Sequence, residues 1–142
     1  MTWLFEGQVV EQLPEDCVGY VYCITNTVTG RMYIGKKLSK FSKTTYKTVK
    51  LKNGTKKRKK IKTKIDSDWQ EYWGSSEELK KDVAALGPDK FIREILYYGS
   101  SKAVCSYLEA REQFNRRVLE SPDYYNNIIN LRVHGSHIIN KI

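Results

Sequence analysis

The stretch that decides the fold is YVYCITNTVTGRMYIGKK, residues 20–37. β-Branched, aromatic and apolar residues fill its first half and return after Gly30, with a polar segment between them. This pattern predicts a strand, a turn closed by a left-handed glycine, and a second strand. In a hairpin centred on Val28, Tyr22 and Tyr33 would point to opposite sides of the sheet. We therefore expect a β-bulge near Gly30, a one-residue insertion that brings both tyrosines to one face.

The remaining patterns predict one small domain of the α/β (α+β) class, residues 1–142. A Ser75–Glu78 capping box starts a helix at about 76–86, and Ser100 or Ser101 starts another that runs to about Glu120. Residues 91–98 predict a third strand, with a helical turn as the alternative. Weaker patterns predict a short strand at 8–10 and a short helix at 66–74 with Ser67 as its candidate N-cap.

A basic insert, about residues 38–65, follows the second strand. Fourteen of the 25 Lys and Arg residues lie between Lys36 and Lys64, where no acidic residue occurs, whereas the rest of the chain holds eleven basic and all 16 acidic residues. The Asn53-Gly54 pair near its middle predicts an ordered hairpin, and the lysine content equally allows a mobile arm. Such a charge run is commonly a solvated loop, but its density beside a structured hairpin favours a phosphate-backbone contact.

The cysteine count and hydropathy favour a reducing compartment. Cys17, Cys23 and Cys105 are odd in number and form no C-x-x-C pair, so neither a disulfide framework nor a zinc ribbon is indicated. The N-terminal residues lack a signal-peptide pattern, and no apolar run reaches the ~18 residues of a membrane span. We therefore expect a soluble cytoplasmic protein.

One carboxylate of the last predicted helix is a candidate site residue. On a helical wheel centred on Val104, Glu112 falls at about 80°, at the edge of the inward face, and Glu109 at about 140°, facing outward. A carboxylate beside the core is costly unless it is paired, protonated or metal-bound. A salt bridge to Arg116 or Arg111 is the alternative for Glu112.

Taken together, these residues resemble the GIY-YIG nuclease superfamily. Tyr20-Val21-Tyr22 stands where Gly-Ile-Tyr is usual, and Tyr33-Ile34-Gly35 is intact. Arg111-Glu112 resembles the metal-binding glutamate element of the family, and Tyr125-Asn126 its downstream Tyr-Asn element. The segment 72–96 resembles the phage-type, free-standing homing endonuclease branch.

The resemblance implies a three-stranded antiparallel sheet flanked by helices and a hydrolase that cuts DNA phosphodiesters with one divalent ion, Mg²⁺ or Mn²⁺. By the same resemblance, Glu112 would bind the metal, Tyr22 would be the general base, and Tyr33 would orient water. Nearby positive charge, from Lys36 and Lys37, would have to lower the tyrosine pKa. Asn126 would orient the backbone or the metal loop, with Asn127 as the alternative register.

The family's usual arginine after the second motif has no counterpart here. Lys36, Lys37 and Lys43 are the candidates to replace it, although lysine lacks the bidentate fork. The expected partner is double-stranded DNA, in the host cytoplasm if the protein is phage-encoded, bound by a monomer or a homodimer. The predicted DNA-binding residues are Lys36, Lys37, Lys43, Lys56, Lys57, Arg58, Lys59 and Lys60.

Two other functions fit the same residues. One is a non-catalytic nucleic-acid-binding module that retains a degenerate nuclease fold. The other is a restriction or repair nuclease on the same fold instead of a homing or mobile-element endonuclease.

Overall fold

The computed structural model describes residues 2–142 and contains seven strands and two α-helices in that range. In chain order the elements are β1 (Trp3–Phe5), β2 (Gln8–Val9), β3 (Gly19–Asn26), β4 (Met32–Leu38), β5 (Lys40–Lys50), β6 (Lys56–Asp66), α1 (Glu77–Leu86), β7 (Phe91–Gly99) and α2 (Lys102–Asn115). None of the helices in this range is long and apolar enough to cross a membrane.

The central sheet has five strands in the order β2-β1-β7-β3-β4. The predicted antiparallel triplet is present as β7-β3-β4, but β1 adds to β7 in parallel and makes the sheet mixed. The three-stranded prediction was therefore incomplete. Trp3 explains the addition, because its buried indole packs on Tyr20 and Tyr22 and donates a 2.7 Å hydrogen bond to the carbonyl oxygen of Trp69.

The β3–β4 hairpin has the register that the two tyrosines require. Asn26 N donates to Arg31 O at 2.8 Å and closes the turn, in which Gly30 is left-handed with φ 80°. Tyr22 consequently pairs with Gly35, and Tyr33 pairs with Ile24. Because paired residues share a face, both tyrosines lie on the same side of the sheet, as predicted. The predicted bulge near Gly30 is wrong, because the β3–β4 register is continuous and the length of the turn sets it.

Each face of the sheet is covered by one helix. Leu79 of α1 packs with the cluster that contains Tyr22, whereas Leu108 of α2 packs with Val21 and Ile34 on the opposite face. The prediction of flanking helices is confirmed. The edge strand β4 lies between these two layers and can present side chains from both.

The helix boundaries differ from the predictions at three places. Ser76, one residue later than predicted, caps α1 by accepting a hydrogen bond from Leu79 N. Ser101 caps α2, which ends at Asn115 because Arg117 adopts a left-handed conformation with φ 54°. The predicted helix after residue 66 is a single 3-10 turn, and Ser67 donates to the carbonyl oxygen of Leu38 instead of capping it.

The basic insert is a two-stranded antiparallel ribbon, β5–β6, with Gly54 at its tip in a left-handed conformation. Every residue of its strands is exposed except the half-buried Ile61. Its base is fixed to the domain by Ser39, which is buried and donates to Cys17 O, and by Ser67 N, which donates to Ser39 O. The ribbon therefore projects from the end of β4 into solvent.

Candidate active site

The two tyrosines lie against each other beside Gly35. Their ring centroids are 6.1 Å apart, and a Cβ atom on Gly35 would lie 2.6 Å from Tyr22 Cζ and 2.9 Å from Tyr33 Cε1. A glycine is therefore required here by the close approach of the rings. Tyr33 is half-buried and its hydroxyl shares a 2.8 Å hydrogen bond with Ser75 Oγ, whereas Tyr22 is fully buried behind it.

Burial sets the protonation state of Tyr22. Loss of solvent raises the pKa of Tyr22 well above its usual value, and the neighbouring Tyr72 and Tyr33 raise it further. A general base would need the opposite shift, which the lysines were expected to supply. Burial also raises the pKa of Tyr33, although its hydrogen bond with Ser75 lowers it. Both hydroxyls therefore keep their protons at neutral pH.

A polar cleft of about 210 Å³ opens beside Tyr33 at the free edge of β4. Its lining includes Lys36 from β4 and Glu109 from α2. Asn126 and its neighbours in the C-terminal segment form another wall of the cleft. The cleft therefore gathers a phenol, an amine, a carboxylate and amides in one place, all of them groups that bind phosphate, water or a hard cation.

Glu109 is the carboxylate of this cleft. Desolvation raises the pKa of Glu109, while the charge of Lys36 and a hydrogen bond from the Lys36 backbone lower it. None of the direct ion pairs among residues 2–142 includes Glu109. Its charge is thus only partly compensated by the protein, which leaves it free to attract a cation.

The sequence-based interpretation that Glu109 faces outward is wrong. Val104, Cys105, Leu108, Ala110 and Gln113 of α2 are buried, so the buried arc extends beyond Cys105 to Gln113, at about 180° on the same wheel. Glu109, at about 140°, lies within that arc, between Cys105 and Gln113. The wheel centred on Val104 did not include Gln113, which is buried and donates to the carbonyl oxygen of Ile34 at 3.0 Å.

Glu112 does not line the cleft. Its carboxylate accepts hydrogen bonds from Arg116 Nε at 2.7 Å and from the Tyr97 hydroxyl at 3.0 Å. This is the salt bridge to Arg116 that the sequence left as the alternative. Two hydrogen-bond donors satisfy Glu112 within the protein, whereas Glu109 is the carboxylate that lines the cleft with Tyr33.

Asn126 holds the cleft together. Its side chain accepts from Ile34 N at 3.0 Å and donates to Ile34 O at 2.8 Å, so it occupies the hydrogen-bonding edge of β4 as another strand would. It is buried, whereas Asn127 is exposed. Both the oxygen and the nitrogen of the Asn126 amide are engaged with the backbone of Ile34, so this side chain fixes the C-terminal segment against β4. Its orienting role stays a prediction.

The two lysines after Gly35 have different environments. Lys36 is exposed, lines the cleft and donates from Nζ to Ser106 Oγ. Lys37 is committed elsewhere: its Nζ lies 2.6 Å from Asp68 Oδ1 and 4.1 Å from the centroid of the Tyr72 ring. Lys36 is therefore the cationic side chain available at the cleft, and Lys37 is a structural ion pair.

The structure brings together Tyr22, Tyr33, Lys36 and Asn126 of the predicted residues, and leaves Lys37 and Glu112 outside the cleft. Glu109 and Gln113 were missed. The available signal was their spacing, because Cys105, Glu109 and Gln113 follow each other at four-residue intervals and so form one stripe on the helix.

The mixed sheet carries paired tyrosines beside a glycine, and α2 places the carboxylate of Glu109 at the same strand edge. This arrangement defines a small α+β domain of the nuclease class. The chain belongs to the GIY-YIG nuclease superfamily: the family model described as "Putative endonuclease segE, GIY-YIG domain" matches residues 3–129. No curated protein and no solved structure matches the chain.

Proposed function

We propose that this protein is a metal-dependent endonuclease that hydrolyses phosphodiester bonds in double-stranded DNA. The observation that supports this most is the position of Glu109, a half-buried carboxylate with no direct ion pair among residues 2–142, in the same cleft as Tyr33 and Lys36. Membership of an endonuclease domain family agrees with this chemistry. A role in homing or mobile-element transfer stays a prediction.

The donor atoms of the cleft fit Mg²⁺ or Mn²⁺ held by one protein carboxylate. Within residues 2–142, no three His, Cys, Asp or Glu side chains cluster as ligands for one ion, so a multidentate protein cage is absent from that range. A single carboxylate is enough for Mg²⁺, which keeps most of its water ligands. The ion would supply Lewis-acid stabilisation of the phosphate charge and make a nearby water more acidic.

The side chains of the cleft have separate roles in this proposal. Glu109, and not Glu112, holds the metal. Lys36 contacts the scissile phosphate as a point charge, in the place of the family's usual arginine. Tyr33 keeps its proton and orients the attacking water from the mouth of the cleft, while the buried Tyr22 fixes the Tyr33 ring from behind.

Cleavage of supercoiled plasmid DNA tests the proposal. The wild-type protein should nick or linearise the plasmid with Mg²⁺ and not with EDTA. Because a metal ion contributes several kcal/mol to such a transition state, Glu109→Gln should lower the rate about a thousandfold, which corresponds to ~4 kcal/mol. The matched control is Glu112→Gln on the same helix, which should keep the rate within about tenfold and lower only the stability.

Two results would contradict the assignment. Cleavage by Glu109→Gln at the wild-type rate would show that Glu109 is not part of the site. A thousandfold lower cleavage rate in Glu112→Gln would instead indicate Glu112, the residue that the family motif favours, as the metal ligand. Absence of cleavage by the wild type with every divalent metal, with duplex binding retained, would favour the non-catalytic binding module.

A further inference from the structure

We propose that the β5–β6 ribbon enters the DNA major groove with one of its two faces and that this face selects the cleavage site. The proposal rests on the proposed function for its substrate, duplex DNA, but it concerns a surface outside the cleft. It follows from the strand register, which sorts the basic run into two unlike faces.

Cross-strand pairing puts the even-numbered residues of both strands on one face and the odd-numbered residues on the other. The even face carries seven Lys or Arg residues and one acidic residue. Arg58 lies 4.7 Å from the centroid of the Tyr46 ring, which confirms that these two even-numbered residues share a face. The odd face carries only four lysines and four large apolar residues, Phe41, Val49, Ile61 and Ile65.

The positive charge of the ribbon needs a polyanionic partner to neutralise it. A two-stranded ribbon alone in water is marginally stable, and like charges directly opposite each other weaken it further. Lys50 pairs with Lys56 and Lys47 pairs with Lys59, so lysine faces lysine at two positions. Acidic side chains lie near the ribbon at its base: Asp66, Asp68, which is bound to Lys37, and Glu15 and Asp16, which line a cleft with Lys40 and Lys64. Phosphates of a duplex would neutralise the remaining charge.

The dimensions of the ribbon fit the major groove of B-form DNA. Strands of eleven residues extend about 36 Å at ~3.3 Å per residue, close to one helical turn of DNA. The major groove, about 12 Å wide, admits a two-stranded ribbon, whereas the minor groove, about 6 Å wide, does not. The major groove of duplex RNA is too narrow and deep for it. Duplex DNA is therefore the nucleic acid that the ribbon fits.

The even face also carries hydroxyl groups between its basic side chains. Thr44, Tyr46 and Thr48 occupy every second position of β5, and all three are exposed residues with a hydroxyl group. Lysine and arginine ends reach phosphates and guanine edges, and hydroxyls donate to or accept from base edges in the major groove. The odd face turns toward the domain at its base, where the Phe41 ring lies 4.9 Å from Lys37 Nζ. Lys40 and Asp66 of the even face also meet the domain at the base, so the choice of the even face for the groove rests on its larger charge and its hydroxyl groups.

A matched pair of triple variants tests the choice of face. The even-face variant is R58Q/K60Q/K62Q and the odd-face variant is K43Q/K47Q/K59Q, so each removes three charges from exposed positions. Binding to a fluorescent 40-bp duplex is measured in EDTA across a salt series, so neither metal nor cleavage is needed. Loss of three phosphate contacts should reduce the slope of log affinity against log salt by about 2.7 for the even face, with less than one for the odd face.

Site selection is tested with hydroxyl variants. T44V/T48V keeps side-chain shape and removes two even-face hydroxyls, and T45V/T63V does the same on the odd face. Both are compared with wild type for the cut sites chosen from a pool of randomised duplexes. Broader sequence preference in T44V/T48V, with unchanged preference in T45V/T63V, is the expected result.

Equal salt slopes in the two triple variants, or a larger change in the odd-face variant, would overturn the proposal. Unchanged cut sites in T44V/T48V would also overturn it. So would face-dependent binding to duplex RNA that is as tight as binding to duplex DNA. These outcomes are separate from failure of the proposed function: a wild type that never cleaves but shows the face-dependent slope in EDTA would refute the nuclease and leave the ribbon as the groove-binding element. Unchanged thermal midpoints confirm that all four variants are folded.

Discussion

Gly35→Ala is the change that tests the geometry of the tyrosine pair most directly. The new Cβ would lie 2.6 Å from Tyr22 Cζ and closer still to Tyr22 Oη, so the ring would have to retreat by about 1 Å to reach ordinary van der Waals contact. Trp3 and Tyr72 block that movement, with ring centroids 5.2 Å and 5.9 Å from that of Tyr22. Overpacking of this kind costs roughly 1–3 kcal/mol, from which alanine's preference over glycine in a strand subtracts about 0.5–1.

The expected net loss is about 1–2 kcal/mol, or a fall in Tm of roughly 5 °C for a chain of this size. At 25 °C a domain with ordinary stability would remain folded, yet displacement of the hydroxyls by close to 1 Å should lower the cleavage rate about a hundredfold. Urea unfolding in EDTA and plasmid cleavage with Mg²⁺ measure the two effects separately.

Gly135→Ala is the matched control, because nothing lies within 4 Å of its Cβ position, and it should change neither quantity by more than the error. The loss caused by Gly35→Ala should shrink in a Tyr22→Leu background, since the smaller side chain removes the clash. A Gly35→Ala protein with wild-type stability and wild-type cleavage would refute the packing described here, and with it the role of the tyrosine pair.

Three further predictions concern the edge of β4 and the cleft beside it. Asn126→Ala should lower the free energy of unfolding by about 2 kcal/mol, because Ile34 N loses its partner while Ile34 O keeps Gln113; urea unfolding measures this, and a loss no larger than that of the exposed Asn127→Ala would contradict it. Because burial raises the pKa of Glu109 and Lys36 lowers it, and because the proton competes with the metal for this carboxylate, cleavage at subsaturating Mg²⁺ should rise with pH through a value above that of an ordinary glutamate, and Lys36→Gln should move this acid limb higher still, measured as kcat/KM against pH. In EDTA, folded Glu109 keeps its proton to a higher pH than the unfolded chain does, so stability should fall as pH rises through that window, and Glu109→Gln should abolish the fall.

The elements that sequence predicted well are those specified by local pattern. The β3–β4 hairpin, α1 and β7 each have a complete periodic stretch with turn or cap residues at the ends. Strand β1 has three residues, and its place is fixed by parallel pairing with β7, nearly ninety positions later in the chain. No local pattern carries that information, so the addition of β1 to the sheet beside β7 could not be predicted from the sequence.

The basic run shows a similar limit. The five consecutive residues 56–60 look equivalent as a charge block, and all were predicted to bind DNA. Strand pairing separates them, because Lys56, Arg58 and Lys60 lie on one face and Lys57 and Lys59 on the other. Charge density thus predicts that a segment meets a polyanion, whereas only its secondary structure determines which members of the run can do so together.

The two glutamates of α2 show why the site carboxylate required the structure. They lie about 60° apart on the helix, so both stand near the inward face, and the motif resemblance favours Glu112. The two glutamates differ in how far the protein compensates their negative charge. Glu112 is satisfied by Arg116 and Tyr97, so a metal there would first have to displace two existing partners. Glu109 is desolvated and has only the partial help of Lys36, so a cation would relieve an unfavourable burial that already exists in the folded protein. Proximity to the core therefore does not distinguish the two glutamates; the proposed metal ligand, Glu109, is the one whose charge the protein compensates only in part.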